Sequence, residues 1–148
     1  MPARPSIQLR GVYRHSLDDK SRVIIPQALR GRGAQEVIIV QHPKSYLAIM
    51  TREQFGTLHQ HLIEEYPEAD QQRDFAFILN HMARPVTMDA QGRMSLAQAE
   101  IEHAGIDREV VITGSHRSQF EIWAPARHAA AVQEKREAVG AMLHKLGI

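Results

Sequence analysis

Apolar and polar positions along this chain change period several times, and each change marks an element. An alternating stretch from Val12 to Leu17 predicts a strand running into a polar turn, Asp18-Asp19-Lys20-Ser21. A short apolar run, Val23-Ile24-Ile25, follows, then Pro26 and a brief helical segment over Gln27 to Arg30. Glu36 to Val40 and Tyr46 to Met50 flank the turn formers His42-Pro43-Lys44-Ser45 and predict a β-hairpin. The period then lengthens. Phe55, Leu58, Leu62 and Ile63 fall at helical spacing between Arg52 and Tyr66, Pro67 interrupts, and Phe75, Ile78, Leu79 and Met82 predict a second helix.

The opening order then recurs. Pro85 to Met88 is extended, Asp89-Ala90-Gln91-Gly92 is a polar turn, and Met94-Ser95-Leu96 is a short run. A helix over Ala97 to Ala104 stops at Gly105, a C-cap residue. Glu109 to Thr113 and Gln119 to Trp123 form a second hairpin around Gly114-Ser115-His116-Arg117. After Pro125, Val132, Val139, Met142, Leu143 and Leu146 predict a C-terminal helix over Ala126 to Leu146. Such Met and Leu stripes serve as core or interface far more often than as cofactor sites.

The recurrence is an internal duplication. Leu17-Asp18-Asp19-Lys20-Ser21-Arg22-Val23 and Met88-Asp89-Ala90-Gln91-Gly92-Arg93-Met94 share the pattern apolar-Asp-x-x-small-Arg-apolar, with Asp18 and Asp89 71 positions apart. Glu36-Val37-Ile38-Ile39 aligns with Glu109-Val110-Val111-Ile112 at an offset of 73, so two residues have been inserted between. At the same offset Leu47-Ala48-Ile49-Met50 falls against Phe120-Glu121-Ile122-Trp123. One Asp-x-x-x-Arg is weak evidence, but two copies in matching surroundings are hard to obtain by chance.

Composition narrows the function classes. Of the 148 residues, 43% are hydrophobic and 24% charged, as in an ordinary globular protein. Lys plus Arg number 18 against 17 for Asp plus Glu, so any nucleic-acid role must rest on where the cations sit. Without cysteine there are no disulfides, thiolate metal sites or Cys nucleophiles, which fits a reducing cytoplasm. No apolar run is long enough to span a bilayer, and the first residues lack the apolar core of a secretory signal. The nine histidines are scattered; His59 and His61 diverge on a helix and lack a ligand at four-residue spacing, so no metal or other cofactor is expected. Adjacent pairs such as Asp18 with Asp19 and Glu64 with Glu65 point in different directions. With no Gly-rich phosphate loop and no Gly-x-Ser-x-Gly, an enzyme acting on a small-molecule substrate is not expected.

The repeated turn has its own chemistry. An Asp that opens a tight turn accepts backbone N–H groups, so Asp18 and Asp89 are expected to stabilise their turns. Ser21 and Gly92 tolerate unusual backbone geometry. Arg22 and Arg93 then leave a rigid strand end, where a guanidinium suits phosphate oxygens or the O6/N7 edge of guanine, and Lys20 adds phosphate attraction. The plainer reading is a surface Asp–Arg pair worth only about 0–1 kcal/mol. The second copy, and the cations Arg10, Arg14, Lys20 and Arg22 near the first, favour the binding role.

Leu9-Arg10-Gly11-Val12-Tyr13, Ser16-Leu17-Asp18-Asp19-Lys20-Ser21-Arg22 and Pro26 resemble the opening of the MraZ family. Met88-Asp89-Ala90-Gln91-Gly92-Arg93, Ala104-Gly105-Ile106, Glu109-Val110 and Phe120-Glu121-Ile122-Trp123 extend the resemblance to nearly the whole chain. It implies an α+β, β-rich fold: tandem AbrB-type swapped-hairpin repeats forming a β-barrel-like core with flanking helices. The implied divisions are a first SpoVT-AbrB repeat over 12–54, a helical connector over 55–82, a second repeat over 83–126 and a C-terminal helix over 127–148. It further implies a cytoplasmic, nucleoid-associated homo-oligomer, a closed ring with no membrane association. Such a ring binds short G-rich direct repeats in double-stranded promoter DNA and represses its own operon, the division and cell-wall cluster. Carried over, Lys20, Arg22 and Arg93 face DNA, while Ser21 and Gly92 allow close backbone approach.

Three positions depart from the family pattern. Ser21 stands where Gly is usual, Ala97 where Pro is common, and Gln91 replaces the second repeat's equivalent of Lys20. The first turn is therefore expected to contribute more to affinity. The N-terminus is also longer than is usual. Two rivals remain: an AbrB-type antitoxin or global regulator with a toxin partner, and a structural ring whose turns bind nothing.

Overall fold

A computed structural model describes residues 9–148; the N-terminal extension lies largely outside them. The chain is α+β, with eight strands, four α-helices and a single 3-10 turn among the described residues. The first repeat supplies β1 (Val12–Ser16), β2 (Arg22–Ile24), the 3-10 turn (Gln27–Leu29), β3 (Gln35–His42) and β4 (Tyr46–Met50). Helices α1 (Arg52–Glu65) and α2 (Ala69–Met82) connect it to β5 (Ala83–Met88), β6 (Arg93–Ser95), α3 (Gln98–Ala104), β7 (Glu109–Gly114) and β8 (Phe120–Trp123). Helix α4 (Pro125–Lys145) ends the chain.

The duplication governs the topology. Strand β1 pairs with β7 and β5 pairs with β3, so each repeat lends its first strand to the other repeat's hairpin. Val12 faces Thr113 and Ala83 faces Val40, pairings that the 71- and 73-residue offsets interconvert. The six long strands form one antiparallel sheet in the order β1-β7-β8-β4-β3-β5, while β2 and β6 form a separate two-stranded ribbon. The sheet is open: β1 and β5 end it and do not pair with each other, so the β-barrel-like core is seen as a sheet plus a ribbon rather than a closed barrel.

A single apolar cluster fills the space between sheet and ribbon. Val23, Ile25, Met88 and Met94 from the turn regions meet Val37, Ile39, Leu47, Ile49, Val110, Ile112, Phe120 and Ile122 from the hairpins. Both repeats contribute residues to this one cluster, so neither closes it alone. The other sheet face carries a smaller cluster, Ile38, Val40, Ala48 and Met50, covered by Phe55 and Leu58 of α1.

The helices hold less of the core than their stripes predict. No residue of α1, α2 or α4 is fully buried, and Phe77, Ile78, Val139, Met142, Leu143 and Leu146 are exposed. A capping box starts α1: Thr51 Oγ1 accepts from Gln54 N–H, and Gln54 Oε1 accepts from Thr51 N–H. Gly105 ends α3 with φ 66°, as its C-cap position requires.

Candidate nucleic-acid interface

The two turns are near copies in three dimensions. Asp18 Oδ1 accepts the backbone N–H of Lys20 and of Arg22, both at 2.9 Å. Asp89 Oδ1 accepts the N–H of Gln91 at 2.9 Å and of Arg93 at 3.0 Å. Main-chain bonds close each turn: Ser21 N–H to Asp18 O and Asp18 N–H to Arg22 O in the first, Gly92 N–H to Asp89 O and Asp89 N–H to Arg93 O in the second. The accepted N–H groups, first that of Arg22 and of Arg93 respectively, hold both carboxyls below the usual carboxylate range.

Each Asp also orients its arginine. Arg22 Nε donates to Asp18 Oδ2 at 2.8 Å, and Arg93 Nε donates to Asp89 Oδ2 at 2.7 Å. Among the described residues neither guanidinium makes another hydrogen bond, so the outer Nη groups keep their donors for a ligand. The surface ion pair and an outward-facing arginine are therefore compatible in one arrangement. The carboxylate takes the inner N–H and limits the freedom of the side chain, leaving the forked end outward.

The ribbon places the two arginines together. Val23 pairs with Met94 at its centre, and both are buried. Alternation then puts Arg22, Ile24, Arg93 and Ser95 on the opposite, solvent face, with Arg22 across from Ser95 and Arg93 across from Ile24. The arginines are diagonal neighbours, about 7–8 Å apart in such a ladder. Lys20, in the turn itself, is exposed.

The two turns differ at the small residue. Ser21 has φ 56° and Gly92 has φ 84°, both in the left-handed region, so the expected backbone demand is real and Ser21 carries its steric cost. Gly92 is buried under Arg30: a Cβ there would stand 2.7 Å from Arg30 Cζ. Arg30 Nε donates to Ile25 O at 2.9 Å, and its Nη1 reaches Ala90 O at 3.5 Å. The residue 71 positions later is Ile101, which is buried, so the first turn has no such arginine. In the sequence Arg30 stands only at the end of a predicted helical segment. Its single signal was a cation with no counterpart in the second repeat.

A second arginine holds the ribbon from behind. Arg84 donates from Nε to Glu100 Oε2 at 2.9 Å and from Nη2 to Glu100 Oε1 at 2.8 Å and to Ser95 O at 3.1 Å. Glu100 is buried, and its Oε1 also caps Ala97 N–H at 2.8 Å. That bond supports the start of α3, where Ala97 has no side-chain cap to offer. The first repeat has Tyr13 and Leu29 at the corresponding positions, so the ionic pair has no counterpart there.

A family profile described as MraZ protein, antitoxin-like, matches residues 9–78 and again 81–141, one Asp-x-x-x-Arg turn in each segment. This chain belongs to the MraZ family. Among its relatives, the transcriptional regulator MraZ of Kocuria rhizophila is 30% identical over 128 residues, 86% of this chain and 89% of that protein. The same-named protein of a Nocardioides species is 30% identical over 128 residues, covering 84% and 88%. That of Oenococcus oeni is 32% identical over 113 residues, covering 76% and 78%. The boundary between the two MraZ segments falls at the end of α2, so the connecting helices go with the first. Among the described residues of this MraZ chain, no group of three or more His, Asp or Glu is placed to hold a metal ion. No described helix is long and apolar enough to cross a membrane.

Proposed function

We propose that this chain is a DNA-binding transcriptional regulator that represses its own operon, the division and cell-wall cluster, by binding short G-rich direct repeats in promoter DNA. It acts as a homo-oligomeric ring in the cytoplasm, associated with the nucleoid, and has no catalytic step, cofactor or small-molecule substrate. In this reading Lys20, Arg22 and Arg93 contact the duplex, and Asp18 and Asp89 hold the turns in shape. The crossed pairing of β1 with β7 and of β5 with β3 supports treating the halves as tandem AbrB-type swapped hairpins.

The observation that carries the proposal is the ribbon face on which Arg22 and Arg93 stand side by side, each buttressed by its own Asp. A preorganised guanidinium grips guanine O6/N7 or a phosphate with two hydrogen bonds and loses little side-chain freedom on doing so. The relatives' shared name, transcriptional regulator, agrees with it. One such face offers few contacts, so several on a ring would raise affinity through effective concentration. A near-neutral net charge is compatible with this because the basic surface is local.

The test is a gel shift of the chain against the region upstream of its own coding sequence, across a salt series. Retention that weakens steeply with salt and needs several boxes supports the proposal. No retention at low salt would leave a structural ring as the better reading. The description antitoxin-like favours one alternative, a toxin-binding partner, which predicts co-purification with a toxin and weak dependence on Arg22 and Arg93.

A further inference from the structure

The charge around each turn is less generous than the count of arginines implies. Arg22 is offset by Asp18 and Lys20 is followed by Asp19, while Arg93 is offset by Asp89 and Gln91 is neutral. The second turn thus has no net cation of its own. Arg30 lies across it, lent by the other repeat, covering Gly92 and reaching the carbonyl of Ala90. Among the described residues no carboxylate comes within ion-pair distance of Arg30. It is only partly buried, and among the described residues its Nη2 makes no hydrogen bond.

We propose that Arg30 is a DNA-phosphate ligand of the second turn, taking in trans the part that Lys20 plays in the first. The inference rests on the DNA-binding reading and extends it to a residue outside the repeated motif. Its Nε is anchored on Ile25 O, the residue whose own N–H binds Gly92 O, so the side chain is tied to the ribbon that presents Arg93. A guanidinium held at one end, uncompensated and open at the other, is arranged to meet a phosphate beside the base or phosphate that Arg93 takes. Gly92 then has a further reason to lack a side chain: the space above it belongs to Arg30. Ser21 is tolerated in the first turn because no Arg30 equivalent lies there.

The test compares native chain, Arg30→Gln, Arg30→Lys and Lys20→Gln for binding to a duplex from the upstream region, by fluorescence anisotropy across a potassium chloride series. Circular dichroism and thermal melts accompany each. The Arg30→Gln chain should lose affinity several-fold, and its slope of log K against log salt should become shallower by about one unit per subunit on the duplex. Lys20→Gln should do the same, and Arg30→Lys should keep the native slope. An Arg30→Gln chain that binds with the native slope overturns the assignment. So does an Arg30→Lys chain that loses as much affinity as Arg30→Gln, because then the residue acts only by holding the turn. If the native chain binds no duplex at low salt, the DNA-binding reading fails and takes this inference with it. Normal native binding with an unmoved Arg30→Gln slope rejects the role of Arg30 alone.

Discussion

Arg22 and Arg93, 71 positions apart in sequence, are diagonal neighbours on one face of a two-stranded antiparallel ribbon, opposite Ser95 and Ile24 respectively. The local two-fold relation runs through the buried Val23–Met94 pair, which faces the core while the arginines face solvent. A single subunit therefore presents both guanidiniums on one solvent-facing patch.

If both arginines are used together, their loss should be non-additive. Arg22→Ala and Arg93→Ala are each expected to weaken promoter binding by roughly tenfold or more, since a well-placed bidentate contact carries about 1–3 kcal/mol. Fold and melting temperature should hardly change, because both side chains are partly exposed. The double variant should bind negligibly, and full affinity in it, measured by anisotropy, would reject the assignment.

The small residue of each turn should respond in opposite directions. Ser21→Gly removes the cost of a non-glycine residue at φ 56° and should stabilise the chain by about 0.5–1 kcal/mol. Gly92→Ala meets both a φ of 84° and the Arg30 side chain, and should destabilise it by more than about 1 kcal/mol. Urea unfolding distinguishes the two, and equal effects would contradict the described packing of Arg30.

The buried carboxylate behind the ribbon gives a third expectation. Glu100→Leu leaves Arg84 without its partner and Ala97 N–H uncapped, costing about 2 kcal/mol after allowance for the partial exposure of Arg84. Pairing it with Arg84→Tyr copies the Tyr13 and Leu29 of the first repeat and should recover part of that loss. Denaturant midpoints of the single and double variants read the coupling directly.

Acid should open the turns late. Asp18 and Asp89 both have carboxyls held below their ordinary value by backbone N–H donors, so they favour the folded turn in their ionised form. That contribution is present above the unfolded pKa, near about 3.9, and disappears as pH falls through the lower folded value. Amide resonances of Ser21 and Gly92, whose N–H groups close the turns, should titrate with midpoints below about 3.9. Midpoints at or above it would mean that the carboxylates do not hold the turns.

Much of the architecture was legible along the chain because it is locally encoded. The Asp-x-x-x-Arg turns form from side chains within four residues of one another, so their copies are recognisable in sequence and closely alike in space. The hairpins likewise lie where alternation and the His42-to-Ser45 and Gly114-to-Arg117 turn formers placed them, give or take two residues. The connector helices are present as predicted, but their stripes are at most half-buried. Helical spacing reports which face is apolar and does not say how much surface is available to cover it.

Sequence alone determined that the arginine turn occurs twice, that Asp18 and Asp89 shape it, and that Ser21 and Gly92 take an unusual backbone. Only the tertiary structure decided that the turns share one ribbon face, that the first strand of each repeat joins the other, and that Arg30 crosses to cover Gly92. The reason is range. A turn is set by hydrogen bonds between near neighbours, which spacing reveals. The pairing of β2 with β6 is set by the shared core that Val23 and Met94 help to fill, and the 70 residues between them hold no local trace of it.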